Sequence, residues 1–180
     1  MSPFRPDIVD VWIFRERRSG TPGPSDGAPR AGVSSSGTEV LLLRRSSGRI
    51  LPGLWQCVSG RLEPAETVPA GALRELREET GLGPEQISGF YDLDQVNQFY
   101  EPSLGGVVTG VIFAVRLRGA AEPVLSHEHD AMRWVPPAEA LELAVCPAYR
   151  ESIRRIVENL LDPEKAVWFE LTFAGERARQ

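Results

Sequence analysis

The sequence is poor in the residues that build disulfide frameworks and soft-metal sites, with two cysteines and two histidines among 180 residues. Cys57 and Cys146 lack metal-ligand spacing, so we expect two reduced thiols. His127 and His129 form an HxH pair, but no third zinc ligand lies nearby in the sequence. No apolar run is long enough to span a membrane, and the first ten residues lack the apolar centre of a signal peptide. We therefore expect a cytoplasmic protein without a membrane partner.

Positive charge is also scarce, since 20 Lys and Arg stand against 25 Asp and Glu for a formal net charge of −5. Without a basic run, the chain has no electrostatic footprint for a nucleic-acid polymer. The hydrophobic share of 42% and the charged share of 25% are ordinary for a globular protein. A chain of this length is expected to form a single domain over residues 1–180.

One acidic helix is the most informative feature. Residues 67–80 are predicted to form it, with Thr67 as the N-cap and Gly81 just past its end. Glu75, Glu78 and Glu79 stand at i, i+3 and i+4, so their side chains share one face. Hard oxygen ligands of this kind suit Mg²⁺, or else Mn²⁺. The competing interpretation is a solvated helix face with intrahelical ion pairs.

The remaining segments alternate short strands with helices. Residues 17–38 are rich in Gly, Ser and Pro and are predicted to form a flexible loop, which serves either as a tolerated insertion or as a lid. Strands are predicted at 8–14, 40–44, 54–59, 86–92, 95–100, 107–117 and 132–135. Helices are predicted at 137–143 and 148–161. This order indicates an α/β fold.

The segment from Gly60 to Leu82 resembles the signature of the Nudix hydrolase family. The matching residues are Gly60, Glu66, Arg74, Glu75, Leu76, Glu78, Glu79, Gly81 and Leu82. Leu76 and Leu82 occupy positions that need only be apolar, which leaves seven positions with a fixed residue. Seven such positions at roughly 6% usage each would coincide by chance on the order of 10⁻⁹ times per starting point. The resemblance extends over residues 8–161 and implies a mixed β-sheet sandwiched between α-helices. Residues 54–60 are similar to members acting as dihydroneopterin triphosphate and nucleoside triphosphate pyrophosphatases.

The resemblance implies hydrolysis of a diphosphate linkage in a nucleoside diphosphate joined to another group. It assigns Glu75 and Glu79 as the principal metal ligands, and Glu78 as a ligand or water-orienting base. The backbone carbonyl of Gly60, or that of Ser59, is a further ligand. Glu128 is a candidate base or extra ligand, although an isolated glutamate before a strand is also typical of a solvent-exposed position. The catalytic set predicted from this resemblance is therefore Glu78, Glu79 and Glu128.

Two further residues of the segment 60–82, called the Nudix box below, are assigned supporting roles. Arg74 is expected to pair with one of the carboxylates, and Glu66 to shape the loop before the helix. The chain departs from the common pattern at Ser59, where many members have glycine, and at Gly71, where alanine is common. Neither departure removes a ligand.

Substrate recognition is less well determined by the sequence. Trp55, Phe99 and Tyr100 are candidates to stack on a base, but aromatic residues on strands are also typical of a core. Arg44, Arg45 and Arg61 are candidates to reach phosphates, although each is equally compatible with a solvated position.

Three alternatives stay open at this stage. The chain can be a metal-dependent pyrophosphohydrolase of small nucleotides, a nucleotide sensor that does not cleave, or a prenyl diphosphate isomerase on the same fold. The full glutamate set favours the hydrolase. The family likeness also raises the prospect of a homodimer, for which the sequence gives no independent support.

Overall fold

A computed structural model describes residues 5–16, 37–119 and 121–178 of the chain. The strands in these ranges are β1 (Ile8–Glu16), β2 (Thr38–Arg45), β3 (Trp55–Gln56), β4 (Val58–Arg61), β5 (Ile87–Glu101), β6 (Gly106–Leu117), β7 (His129–Val135) and β8 (Glu170–Leu171). The α-helices are α1 (Val68–Thr80), α2 (Pro137–Leu143), α3 (Pro147–Arg155) and α4 (Pro163–Ala166). All of these strands belong to one mixed sheet, in which β1 and β6 are parallel and the other pairs are antiparallel.

At the centre of the sheet, residues 55–61 form a wedge between two strands, and this wedge determines where the acidic helix lies. Strands β1 and β2 pair only where residues 14–16 meet residues 38–40. Beyond that point β4 pairs with β1 and β3 pairs with β2. Residues 55–61 therefore fill the gap between two diverging strands, and the buried Cys57 lies where the chain crosses from one to the other. The chain leaves this wedge at Arg61 and reaches α1 after six residues.

Helices cover both faces of the sheet, which confirms the predicted α/β sandwich. On one face α1 packs through Ala72 and Leu76 against a core of β-strand residues, among them Val9, Val11 and Ile13. On the other face lies a second core, formed by Trp12, Phe14, Val40, Leu42, Ala140, Ala144, Ile153, Ile156 and Leu160 with their neighbours. Alternate side chains of β1 point to opposite cores because successive residues of a strand face opposite sides.

The ends of α1 follow the local sequence. Thr67 is the N-cap residue in extended conformation, although its side chain makes no capping hydrogen bond. Pro69 is tolerated in the first turn, where a backbone N–H has no helical partner. Gly81 ends the helix with a left-handed φ of 69°, and its N–H donates to the Arg77 carbonyl. A residue without a side chain adopts this conformation at little cost, so the predicted boundaries hold.

Four predicted elements differ in the structure. The strands predicted at 86–92 and 95–100 are one strand, β5, whose pairing with β6 is irregular between Asp92 and Val96. Asp94 has a positive φ of 50° there, so the local signals of a break mark a bulge within one strand. The strand predicted at 54–59 is divided into β3 and β4. The helix predicted at 148–161 is α3 followed by a π-helical turn over Ile156–Leu160.

The C-terminal region adds structure that the sequence pattern did not predict. Strand β8 pairs with residues 90 and 91 of β5, and Arg177 forms an ion pair with Asp92. A two-residue strand carries no detectable periodicity, which explains why pattern analysis missed it. Most of the predicted loop at 17–38 lies outside the described residues, and Thr38 already belongs to β2. No helix in the described ranges is long and apolar enough to cross a membrane.

The two cores are expected to contribute independently to stability. Leu76 and Ile153 are fully buried on opposite faces of the sheet. Truncating either to alanine removes packed methyl groups, so each variant is expected to lose about 2–5 kcal/mol of unfolding free energy. In the double variant the losses are expected to add within about 0.5 kcal/mol, as measured by urea denaturation. A much larger coupling energy would mean that the sheet does not separate the two cores.

Candidate active site

Helix α1 lies very close to β4, the strand that precedes it, and this contact begins the candidate site. A Cβ placed on Gly60 would lie 1.8 Å from the Cδ atom of Glu75, so the Glu75 carboxylate occupies the space that any larger residue would fill. Glycine is therefore required here by contact rather than by backbone conformation. The Glu75 side chain is largely buried, with 12% of its surface exposed.

Glu79 lies one turn further along α1 and is more deeply buried, at 4% exposure. Its Oε1 atom accepts a hydrogen bond from the backbone N–H of Ser59 at 3.3 Å. Its Oε2 atom has no hydrogen-bond partner among the described residues. Burial, reinforced by the nearby Glu75 carboxylate, raises the pKa of Glu79 to about 8. A carboxylate in this position is poorly compensated by the protein alone.

Arg74 joins the remaining carboxylates into one cluster. Its Nε and Nη2 atoms donate to the two oxygens of Glu66 at 2.9 and 3.0 Å. Its Nη1 atom donates to Glu75 at 2.8 Å and to Glu78 at 3.0 Å, which supplies the carboxylate pairing expected from the sequence. Hydrogen bonding by Arg74 lowers the pKa of Glu66, whereas burial raises that of Glu75. Glu78 is the exposed member, with 59% of its side chain accessible.

A loop segment brings further polar groups to the C-terminal end of α1. The N–H groups of Val124 and Ser126 donate to the carbonyls of Thr80 and Glu79 at 2.8 and 3.0 Å. These bonds satisfy carbonyls that the helix end leaves unpaired. Strand β7 begins directly afterwards, and His129 Nδ1 lies 3.6 Å from Glu79 Oε2.

Glu128 stands beside the same cluster and forms an ion pair with Arg49. Its Oε1 atom lies 2.9 Å from Arg49 Nη2, and that nitrogen also lies 2.8 Å from His127 Nε2. Both Arg49 and Glu128 keep about a third of their side-chain surface exposed, at 34% and 33%. The negative charge of Glu128 contributes to the raised pKa of both Glu75 and Glu79. Glu128 is therefore near the box glutamates in space.

Comparison with known proteins identifies the family. The NUDIX domain profile matches residues 28–156, well over half of the chain. The chain belongs to the Nudix hydrolase family. This confirms the family predicted from the sequence, and with it the enzyme class, a pyrophosphohydrolase.

Two relatives show what the chain is similar to. The CTP pyrophosphohydrolase of Escherichia coli strain K12 is 31% identical over 110 residues, 61% of this chain and 76% of that protein. An octanoyltransferase of Myxococcus xanthus is 36% identical over 150 residues, 79% of this chain. The chain spans only 40% of the length of that second protein.

Solved structures agree on the fold. The E. coli dihydroneopterin triphosphate pyrophosphohydrolase aligns with a TM-score of 0.60 and 24% identity, covering 83% of this chain and 94% of that one. At this level of identity, the comparison establishes a shared Nudix fold.

The structure explains the glycine at position 71, where the Nudix pattern commonly has alanine. A Cβ on Gly71 would lie 2.3 Å from Leu62 Cδ2 and 2.8 Å from Glu66 Oε2. Glycine in a helix costs roughly 1 kcal/mol relative to alanine. Here it makes room for the carboxylate that anchors Arg74, so the substitution is linked to the positioning of the Nudix glutamates.

The donor set consists of carboxylate oxygens, which fit a hard divalent cation. Within the described ranges, no three His, Cys, Asp or Glu side chains are arranged to hold an ion. Arg74 donates to Glu75 and Glu78, while Glu79 accepts from Ser59 and lies near His129. The buried, unpartnered Oε2 atom of Glu79 is nevertheless an oxygen that a cation would stabilise.

The predicted substrate residues do not form one group. Arg44 and Trp55 are register partners, and Trp55 packs against the core on the face opposite α1. Arg44 is already paired with Asp130 at 2.6 Å. Tyr100 is 64% exposed on the β5–β6 hairpin, so the core interpretation does not apply to it. Arg61 belongs to the segment 60–82 itself, and its carbonyl accepts a hydrogen bond from Arg74.

Two residues near the glutamates, Arg49 and His129, were absent from the predicted site. They reach it through contacts between loops and strands distant in sequence, and the pairing of Arg49 with Glu128 leaves no mark in a local pattern. Arg45, a candidate phosphate contact from the sequence, lies close enough to help stabilise the charged form of Glu79, and its Nη1 atom lies 3.4 Å from Gln56 Oε1.

Replacing Gly60 with alanine is expected to lower catalytic activity at least tenfold with little loss of stability. The added methyl group must displace the Glu75 carboxylate, which is the end of a flexible side chain and can move cheaply. The measurements are kcat/KM on any turned-over substrate and the unfolding free energy. Gly106→Ala is the control, because its nearest neighbour lies at an ordinary 3.8 Å. Equal activity of both variants would contradict the inferred contact.

The metal-free protein is expected to lose stability as the pH rises from 4.5 to about 8 because of Glu79. Its pKa is higher in the folded state, so ionisation is free in the unfolded chain but costly in the fold. One pKa unit corresponds to about 1.4 kcal/mol, which makes the loss on the order of a few kcal/mol. Glu79→Gln removes the ionisation and is expected to be the more stable protein at pH 8.

Chemical denaturation in the presence of EDTA at several pH values measures this difference. Asp10, whose pKa burial raises to about 6, contributes equally to both proteins and cancels. Glu78→Gln provides the control at an exposed carboxylate. Parallel stability curves for wild type and Glu79→Gln would show that Glu79 ionises without penalty.

Proposed function

We propose that this Nudix hydrolase cleaves a diphosphate linkage in a small nucleotide derivative and requires Mg²⁺, with Mn²⁺ as a substitute. The observation that carries the proposal is the pair of buried carboxylates at the end of β4. Glu75 lies against Gly60, and Glu79 keeps one buried oxygen without a partner. Burying two carboxylates side by side is unfavourable unless a cation or protons offset their charge.

The residues divide into ligands and groups that hold them. Glu75 and Glu79 are the principal ligands in this proposal, with the backbone carbonyl of Gly60 beside them and Glu78 as a ligand or a base. When bound, the metal would neutralise phosphate charge and lower the pKa of the attacking water. Arg74 orients Glu75 and Glu78 through charge-assisted hydrogen bonds, and Glu66 fixes Arg74 from the other side.

Glu128 is the proposed base, with Glu78 and Glu79 completing the catalytic set. A base must reach a water molecule aligned with the phosphorus, and Glu128 is partly exposed, with 33% of its side chain accessible, rather than buried in a core. Its ion pair with Arg49 joins a candidate base to a cation that can contact substrate phosphates. Arg45 adds positive charge near Glu79, which favours a polyphosphate over a neutral substrate, and Arg61 is a proposed phosphate contact.

The substrate class is a nucleoside triphosphate or a related nucleotide. A CTP pyrophosphohydrolase among the relatives and a dihydroneopterin triphosphate pyrophosphohydrolase among the similar structures support triphosphates as the first group to test. Arg44, Trp55 and Tyr100 remain proposed contacts for the more distant part of the substrate. The exposed ring of Tyr100 and the half-buried ring of Trp55 each offer a face for stacking.

The deciding experiment measures phosphate and pyrophosphate release with and without Mg²⁺. The panel consists of nucleoside triphosphates including CTP, dihydroneopterin triphosphate, ADP-ribose, dinucleoside polyphosphates and nucleotide sugars. The expected result is metal-dependent turnover of one class, with kcat reduced at least a hundredfold in Glu79→Gln. Losses of activity of this size follow the removal of a group that acts on the transition state.

One control variant and one test variant make the result interpretable. Met132→Leu changes an exposed apolar residue of β7 and is expected to keep full activity. Glu128→Gln is expected to lower kcat more than it changes KM, because a base acts in the chemical step. Tight binding of a nucleotide without any turnover across the panel would replace the hydrolase with a sensor.

A further inference from the structure

His129 is a buried polar residue that has no role in the proposed hydrolase mechanism. Its side chain is 1% exposed at the first residue of β7. Neither ring nitrogen has a hydrogen-bond partner within the part of the chain that the structure describes. A buried imidazole without hydrogen bonds is costly, so its retention requires an explanation.

The geometry supplies one candidate partner. His129 Nδ1 lies 3.6 Å from Glu79 Oε2, just beyond hydrogen-bond range, and that oxygen is itself buried and unpartnered. The other oxygen of Glu79 is already held by the Ser59 N–H. A small rotation of either side chain would pair the two unpartnered atoms and fix both oxygens of the carboxylate.

The backbone fixes this juxtaposition from two directions. The hydrogen bond from Ser126 N–H to the Glu79 carbonyl ties the preceding loop to the very residue that His129 faces. On the other side, His129 is the register partner of Arg45 in β2. The imidazole is therefore held between the helix end and the sheet by main-chain contacts, so its place beneath Glu79 is not an accident of a mobile side chain.

We propose that His129 is a positioning residue that donates a hydrogen bond from Nδ1 to Glu79 and holds this carboxylate in place to bind the divalent cation. The inference rests on the proposed function, because it takes Glu79 as a metal ligand. It adds a residue outside the Nudix box to the set that prepares the site. Partners of ligating carboxylates commonly matter tenfold to a hundredfold for metal affinity or activity.

The chemistry of the pair determines which atom donates. An ionised carboxylate only accepts hydrogen bonds, so when Glu79 is ionised the hydrogen must come from the imidazole. Burial, together with the nearby Arg45, lowers the pKa of His129, and the ring is accordingly neutral near pH 7. A neutral ring carries one hydrogen, and the contact with Glu79 selects Nδ1 as its site.

Two substitutions of similar polarity separate positioning from simple packing. The side-chain amide nitrogen of asparagine is bonded to Cγ, as Nδ1 is in histidine, whereas the nitrogen of glutamine lies one bond further out, near the place of Nε2. His129→Asn is therefore expected to keep Mn²⁺ affinity and kcat within about threefold of wild type. His129→Gln and His129→Leu are expected to weaken Mn²⁺ binding tenfold to a hundredfold, measured by electron paramagnetic resonance or calorimetry.

A spectroscopic measurement tests the contact without turnover. The chain has two histidines, so His127→Gln assigns both imidazoles in a ¹⁵N NMR spectrum. In the Mg²⁺-loaded protein, His129 is expected to carry its hydrogen on Nδ1, and Glu79→Gln is expected to shift that nitrogen signal. An Nε2-protonated ring insensitive to Glu79→Gln would overturn the inference.

The failures of the two proposals can be told apart. If wild type hydrolyses nothing but His129→Gln weakens Mn²⁺ binding while His129→Asn does not, the hydrolase proposal fails and the positioning role stands. If wild type is active and the asparagine and glutamine variants bind Mn²⁺ equally well, the positioning role fails alone. Unfolding free energies of all three variants identify any effect that comes from misfolding.

Discussion

The contact between Gly60 and the Glu75 carboxylate is the constraint on which the site depends. It exists because residues 55–61 fill the space between the diverging strands β1 and β2, so that the chain emerges directly beneath α1. The helix can approach this closely only where the strand has no side chain. Sheet topology, the glycine and the position of the helix are thus one arrangement, and the acidic face of α1 follows from it.

Charge is distributed unevenly within this arrangement. Arg74 compensates Glu66, Glu75 and Glu78 together, and its guanidinium is well suited to do so because it donates five hydrogen bonds in a fixed plane. Within the described ranges, Glu79 has no such cation in contact, and it is the most buried of the four. The fold therefore leaves the least compensated of these four carboxylates where an added cation would gain the most. Glu78, which is exposed, can change partner at little cost when that happens.

How much could be predicted from the sequence depended on whether a feature is local. The limits of α1 follow from Thr67, Pro69 and Gly81, which act within one turn, and the family follows from residues within a single segment. The continuity of β5 was missed because its bulge at Asp94 resembles a strand end in a local pattern. In the same way, spacing placed Glu75, Glu78 and Glu79 on one face but could not show that Arg74 would bond to the first two while Glu79 accepts from the Ser59 N–H.

The contacts that finish the site come from tertiary structure, which explains why the sequence did not reveal them. Arg49 meets Glu128 across 79 positions of sequence, and His129 meets Glu79 across 50, because β7 pairs with β2 while its preceding loop is tied to α1. Each of these residues looks ordinary alone. Their combination places a partly exposed outer pair, Arg49 with Glu128, and a buried inner pair, His129 with Glu79, beside the same cluster. The outer pair can separate in water when a substrate arrives, whereas the inner pair can gain only by closing, which suits it to hold a ligand in place.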